Sequence, residues 1–543
     1  MSTGSPTARA AAGMGAVTAV SRSLGFARVL VVTAVLGTTS LGDAFQSANS
    51  VSNVLFELLA AGALSAVLVP TFVQLLERDD EPGAERVAGG VLGVALAVLG
   101  PITLVGIVAA PLLARMLTIG VDSDVAAAQQ DLVTFLLRFF LPQVLLYAAG
   151  TIITAVLYAK RRFAITAAAP IGNTVVMVAC LIMFRVVAGP DPGLDLTTGE
   201  KLLLVAAGTG GVVAFVGVLL GAGAASGFRL RPRWPGRDSQ VAAVLRHSGW
   251  GVVLHTGAGL LLGAAIVTAA GVVGGVVAYQ VGWVIFLAPY AVLAQPIHTA
   301  ILPEMVTEAR DAGLRQVAAS LRWALERMAL LVLPATAAMI ALASPALRVV
   351  EFGQTDGQLL AAAVAGLAVG LYAYSAFLLL ARGYYALGDS RTPGVVSVVS
   401  AAVGVVVMVV SAALVDGTAR IVLLGLGHSI AYTVGAGVLA LGLTRRTGAS
   451  LRPEALGRIG LVSTVAGVGG WAASRAVLGD DPGRLTALAT VMVIAAIGAG
   501  VVVAGYRLLG VPAALSARGA PAGTPVAADG FDESPAVPPE VLA

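Results

Sequence analysis

The sequence predicts an all-α integral membrane protein with about fourteen transmembrane helices, in two pseudo-symmetric six-helix lobes followed by two extra C-terminal helices. Three observations carry this. First, 58% of the 543 residues are hydrophobic and only 11% charged, with a mean hydropathy of +0.93, whereas soluble domains are charged at about a quarter of their positions. Second, the apolar residues arrive in runs of about twenty, the length that crosses a roughly 30 Å hydrocarbon core at 1.5 Å per helical residue. Third, landmarks recur at nearly equal offsets: Pro70 and Pro303, each closing an apolar run, lie 233 residues apart, and Tyr158-Ala159 and Tyr385-Ala386 lie 227 apart. Paired lobes around a cavity are an alternating-access architecture.

Apolar windows fall near 10–37, 44–76, 87–116, 130–158, 164–188, 202–226, 241–271, 275–303, 318–346, 358–386, 393–415, 418–442, 457–478 and 485–509. The first is interrupted by Arg22 and Arg28 and runs long, so it reads as a retained span rather than a cleaved signal. Residues 1–230 then form the N-lobe, 231–450 the C-lobe, 451–510 the two added spans and 511–543 a disordered cytoplasmic tail rich in Ala, Pro and Gly.

Loop charge sets the orientation. Linkers after even-numbered spans carry Arg78 and Arg86; Lys160, Arg161 and Arg162; Arg229, Arg231, Arg233 and Arg237; Arg310 and Arg315; Arg391; and Arg445, Arg446, Arg452 and Arg458. Linkers 38–43 and 118–130 carry no lysine or arginine. The positive-inside rule therefore places both termini in the cytoplasm, which requires an even number of spans. The net charge of +4 reports this topology and not a nucleic-acid partner. The single cysteine, Cys180, sits in an apolar run and excludes a disulfide framework or a cysteine metal cluster.

Polar residues at bilayer depth are the functional signal, because an intramembrane ionisable group needs a cavity or a partner. In span two Asp43, Gln46, Ser50, Asn53 and Glu57 follow at steps of three or four residues and share one helical stripe. The stripe lines a cavity or, on the bland alternative, glues helices together, with Asp43 at the outer interface. Arg22 and Arg28 on span one are about 120° apart around an ideal helix, with Gly25 between them as a possible bend. Both can reach one broad cavity, or snorkel to the headgroups. Arg138, His255, His298, Glu326, Arg327, Arg382 and His428 are weaker candidates, with Glu326 and Arg327 assignable to an interfacial helix. No G-x-x-x-x-G-K-[ST] loop or H-E-x-x-H motif occurs, and the 66 glycines are spread through the spans, where they allow close helix packing.

The motif Ser21-Arg22-x-Leu24-Gly25-Phe26-x-Arg28, then Asp43-Ala44-Phe45, Asn53, Gly62-Ala63-Leu64-Ser65 and Val69-Pro70, resembles the start of the MurJ/MviN family. These are the lipid II flippases of the multidrug/oligosaccharidyl-lipid/polysaccharide exporter superfamily. Leu302-Pro303 and Ala386-Leu387-Gly388-Asp389-Ser390-Arg391-Thr392-Pro393 extend the resemblance along the chain. It implies transfer of the undecaprenyl-diphosphate-linked peptidoglycan precursor from the inner to the outer leaflet of the bacterial cytoplasmic membrane. It also implies that Arg22, Arg28, Asp43 and Asn53 are polar cavity residues; Glu57 and Arg138 complete the expected substrate-binding set. No cofactor or metal is implied. The partners expected are lipid II or a related polyprenyl-diphosphate glycan, membrane lipids and cell-wall synthesis machinery.

Two departures from the family pattern stand out. Family members carry an Arg-Arg pair before Ala-Glu-Gly in span two, where this chain reads Phe56-Glu57-Leu58-Leu59-Ala60-Ala61-Gly62. They carry an arginine and a glutamate before a proline in span eight, where this chain reads Val284, Ile285, Phe286 and Leu287 before Ala288 and Pro289. The expected mechanism is alternating access, with the polyprenyl tail left in lipid along an apolar groove formed by spans thirteen and fourteen. The rivals are a flippase for another polyprenyl-linked glycan, a drug or cation antiporter of the same superfamily, and a membrane-embedded transferase or scaffold. Arg22 and Arg28 disfavour a cationic substrate, and an enzyme should show clustered carboxylates or histidines at a membrane surface.

Overall fold

The structure is a computed structural model and describes residues 21, 24–56, 62–236, 238–311, 313–478 and 483–511. These are helical almost throughout, without a strand among them. The first half holds α1 (Leu24–Leu36), α2 (Ser40–Phe56), α3 (Gly62–Glu77), α4 (Glu81–Val108), α5 (Ala110–Leu117), α6 (Ser123–Phe140), α7 (Gln143–Ala159), α8 (Phe163–Ala188) and α9 (Thr198–Ala225). The second holds α10 (Ser239–Ala269), α11 (Gly275–Asp311), α12 (Leu314–Val349), α13 (Gly357–Ala368), α14 (Leu371–Ala386), α15 (Arg391–Leu414) and α16 (Gly417–Thr447), followed by α17 (Leu456–Leu478) and α18 (Arg484–Leu508).

Every one of the fourteen apolar windows coincides with helix in the described residues. Ten helical stretches are long and apolar enough to cross a bilayer, and an eleventh if α13 and α14, bent by 44°, are one span. The residues of the first span before Ser21, together with Arg22 and Ser23, lie outside the described residues, as does the tail from 512 onward.

Local chemistry sets the helix boundaries. Asp80 accepts from the Gly83 N–H at 2.8 Å to start α4. Thr197 and Glu200 form a reciprocal capping box at α9, and Asp238 and Asp356 cap α10 and α13. Gly448, in the left-handed conformation, ends α16. The π-turn Tyr290–Ala294 directly follows Pro289, which cannot donate its share of the helical ladder. Glu326 and Arg327 lie inside the unbroken α12 rather than on a separate interfacial helix.

The surface is inverted relative to a soluble protein. Val105, Val108, Val186, Val406, Leu441, Met492 and Ile497 are exposed, as a lipid-facing belt requires. Inside, small residues bring helices close. A methyl group on Gly425 of α16 would lie 2.6 Å from the Gly366 carbonyl carbon of α13. The added helices α17 and α18 pack on each other and on α12.

The two halves meet at the arginine-poor end of the bundle. The Thr38 hydroxyl donates to the Gln354 carbonyl at 3.1 Å and accepts from the Asp356 N–H at 2.7 Å. The Thr355 hydroxyl donates to the Thr33 carbonyl at 3.0 Å. Nearby, Asp43 on α2 receives N–H groups from the first turn of α11. Gly274, just before that turn, has φ +76°, and a Cβ there would lie 2.5 Å from Cβ of Thr38.

Candidate functional site

Beneath this closed end lies a cavity of about 590 Å³. Its wall is built mainly from α1, α2, α7, α8 and α9, and completed across the lobe interface by Gln280, Val281 and Val284 of α11. Arg28 and Asn53 both line it, as the sequence predicts. Gln46 from the same stripe joins them. Arg28 is the only charged residue among the described lining residues.

The stripe of span two divides by depth and partner. Asn53 lines the cavity and accepts from the Tyr147 hydroxyl at 3.4 Å. Ser50 is buried, accepts from the Gln280 side-chain amide of the other lobe and donates to the Gln46 carbonyl at 2.7 Å. Asp43 does not line the cavity. It is 1% exposed, and both carboxylate oxygens are occupied by the Gly274 and Val277 N–H groups at 2.7 and 3.0 Å. Arg22 and Glu57 lie outside the described residues. One stripe therefore serves both the cavity and the glue between helices, the two roles that periodicity alone leaves open.

Arg138 lies elsewhere. It sits in the last turn of α6, exposed on the outside of the bundle and away from the cavity lining. The weaker candidates also lie off the cavity. His428 is buried in the second lobe, with its Nδ1 3.1 Å from the Tyr279 hydroxyl and Trp283 and Tyr432 against its ring. His298 is wholly buried, its Nε2 3.1 Å from Sδ of Met328. Arg327 lies over the Trp323 ring at 5.5 Å.

Span-by-span reading missed most of the neutral wall. Tyr147, Thr151, Thr154 and Tyr158 all line the cavity from α7. They follow at steps of four, three and four, the same signature as the stripe of span two. Scanning for charge passes over hydroxyls, which cost little in a helix because Thr and Ser can bond the preceding turn; Thr151 does so, donating to the Tyr147 carbonyl at 3.0 Å. Asn49, Asn173 and Gln280 complete the hydrogen-bonding surface. Val284, the first residue of the apolar stretch in span eight, faces this cavity, so the departure from the family pattern falls on the wall itself.

The cavity thus offers a single described guanidinium among neutral amides, phenols and threonines, roofed by a hydrogen-bonded closure between the lobes. It can hold an anionic group beside a large neutral polar moiety. Val29, Val32, Met177, Val212 and Phe215 share the wall with these polar groups, so the wall is amphipathic.

Comparison with known proteins matches residues 32–503 to the family described as Lipid II flippase MurJ. The chain is 30% identical over 388 residues, 70% of this chain and 71% of the relative, to a protein of Rhizobium tropici named probable lipid II flippase MurJ. A Vibrio cholerae protein of the same name is 25% identical over 408 residues, covering 71% of this chain and 74% of its own. Among solved structures, a lipid II flippase MurJ in an inward closed conformation superposes with a TM-score of 0.69 at 16% identity, covering 91% of this chain and 99% of that one. An inward-facing multidrug resistance MATE family transporter gives 0.61 at 16% identity, covering 79% and 94%. At these identities the structural likeness speaks for the fold.

Proposed function

Because this chain belongs to the Lipid II flippase MurJ family, we infer that it carries lipid II, the undecaprenyl-diphosphate-linked peptidoglycan precursor, from the inner to the outer leaflet of the bacterial cytoplasmic membrane. The drug-antiporter reading is not favoured by the family match. The observation that carries the chemistry is Arg28 facing a cavity inside the helical bundle, beside amides and hydroxyls. Charge and sugars cannot cross hydrocarbon unaided. A guanidinium at the wall offers the diphosphate paired donors, and the amides and hydroxyls of Asn49, Asn53, Thr151, Thr154, Asn173 and Gln280 replace water around the glycan and peptide.

Movement between leaflets follows an alternating-access cycle in which the lobes hinge about this cavity. The closure through Thr38, Gln354, Asp356 and Asp43 at the arginine-poor end is one gate. By the positive-inside rule that gate faces outward, both termini are cytoplasmic, and the state described is shut toward the exterior. Glu57 belongs to the same proposed site by its helical register with Asn53, and Arg22 by its place on the same span as Arg28. The polyprenyl tail stays in lipid, with α17 and α18, which pack on α12, as its flanking surface. Contact with cell-wall synthesis machinery belongs to the same reading.

The test is depletion of the protein followed by measurement of lipid II accessible at the outer leaflet, with complementation by wild type. Accessibility is expected to fall on depletion and recover on complementation. Unchanged accessibility on depletion would end the lipid II assignment.

A further inference from the structure

The segment joining α9 to α10 is a strap that is buried at its start and exposed along the rest. Phe228 is 2% exposed and Leu230 half-buried against the same core, while Arg229, Arg231 and Arg233 between and beyond them are exposed, and Trp234 is 78% exposed. Phe228 and Leu230 anchor the start of the strap in the first lobe, while Arg229 and the run from Arg231 to Trp234 stay exposed, with the Arg233 stem lying along α4 beside Gly89.

The strap is fixed along its length. Glu85 of α4 accepts the Arg229 N–H at 2.8 Å, and the Arg233 N–H donates to the Gly89 carbonyl at 2.9 Å. Its backbone rides in a trough of small residues on α4, since a Cβ on Gly89 would overlap the Arg231 carbonyl oxygen and one on Gly93 the Arg233 carbonyl oxygen. Beyond it Arg86 pairs with Asp238 at 3.2 Å, and Lys160 pairs with Glu81 at 2.7 Å. The side chains of Arg229, Arg231 and Arg233 make no ion pair among the described residues. Three exposed arginines without an ion-pair partner among the described residues are thus held on a backbone fixed to α4.

Gly89 and Gly93 lie in the third and fourth turns of α4, just past Arg86 where its apolar run begins, which sets Arg231, Arg233 and Trp234 beside the start of that run, at the depth where headgroups meet hydrocarbon. Trp at that depth presents an apolar ring with a polar edge, and Arg at that depth pairs with phosphate. We propose that this strap is a docking surface for anionic phospholipid headgroups of the leaflet at the arginine-rich end, with Arg229, Arg231 and Arg233 binding the phosphates and Trp234 seated among the upper acyl carbons. The surface lies apart from the cavity and does not depend on what the cavity carries.

The test places full-length protein in phosphatidylcholine vesicles with Trp250, Trp283, Trp323 and Trp471 replaced by Phe, leaving Trp234 as the reporter. Fluorescence quenching is compared between chain-brominated phosphatidylglycerol and chain-brominated phosphatidylcholine at equal mole fraction. Trp234 is expected to be quenched several-fold more by the anionic lipid at low salt; each basic residue near an anionic surface is worth roughly fivefold in local enrichment, and the preference should shrink in high salt. The triple variant R229Q/R231Q/R233Q should lose the preference, and R229K/R231K/R233K should retain it, which separates lost charge from lost fold. Equal quenching by both lipids, or a preference that survives in the glutamine variant, overturns the proposal. Quenching by neither lipid overturns it in favour of a water-facing or protein-facing strap. Loss of the preference on adding inorganic phosphate, but not chloride of equal ionic strength, overturns it in favour of a free-anion site.

Discussion

The carboxylate of Asp43, near the start of one lobe, accepts the N–H of Gly274, at the start of a helix in the other, at 2.7 Å, and of Val277 at 3.0 Å. A carboxylate on the opening turn of a helix meets both unsatisfied donors and the positive end of the helix dipole. Here the helix and its cap belong to different lobes. Asp43→Ala leaves those two buried donors unmet at a cost of roughly 1–3 kcal/mol, and that cost falls only on the state in which the lobes touch. Spin labels on Ser123→Cys and Val273→Cys, in a Cys180→Ala background, should show a larger fraction of separated lobes in the variant. An unchanged distance distribution would show that Asp43 does not hold the gate.

Thr38 and Gln354 form the neighbouring tie, with the Thr38 N–H donating to the Gln354 carbonyl at 3.2 Å. A Thr38→Cys/Gln354→Cys pair in the same background should form a disulfide on oxidation and arrest transport until reduced. Transport at the wild-type rate by fully cross-linked protein would mean that the lobes need not part at this end.

Arg28 is the only charge described on the cavity wall, so its removal should act on transport and not on folding. Hydrogen bonds to charged groups are worth about 1.5–3 kcal/mol, which predicts a loss of tenfold or more for Arg28→Ala and partial rescue by Arg28→Lys. Full complementation of a depleted strain by the alanine variant would remove Arg28 from the proposed site while leaving the fold intact.

Asp389, in the loop before α15, predicts a pH effect. Partial burial opposes its ionisation, but the Thr392 N–H and hydroxyl and the Arg446 guanidinium outweigh burial and hold the carboxyl below its ordinary value of 3.8. A depressed carboxyl contributes stability that is present above the unfolded-state value and lost as pH falls through the lower folded-state value. Asp389→Asn should therefore lower the thermal midpoint slightly at neutral pH, by the equivalent of a few tenths of a kcal/mol for a solvent-screened pair, and the gap to wild type should close in acid below pH 3.8. A gap independent of pH would deny the ionised carboxylate this role.

Gly425 and Gly366 let α16 and α13 touch backbone to backbone. Gly425→Val would overpack this buried contact, at about 1–3 kcal/mol, read as a lower unfolding temperature in detergent. Gly437, whose Cβ would meet nothing within 4 Å, should accept alanine with little change.

The sequence determined this protein's solvent, its all-helical class, its family and one side of its cavity. Each follows from local signals: apolar run length against bilayer thickness, loop charge, and polar steps of three and four along one helix. Arg28 and Asn53 were legible because charge or amide at bilayer depth needs a reason. The outcome for Asp43 was not, because a helical stripe fixes direction and leaves the partner unspecified; only the approach of Gly274, 231 residues away, turned a carboxylate on that stripe into an interlobe cap. Arg138 shared the chemistry of a cavity arginine, yet the packing of α6 left it outside. The neutral wall of α7 and the anchoring of the arginine strap in the trough of α4 also belong to the tertiary structure, since both depend on which faces of distant helices meet.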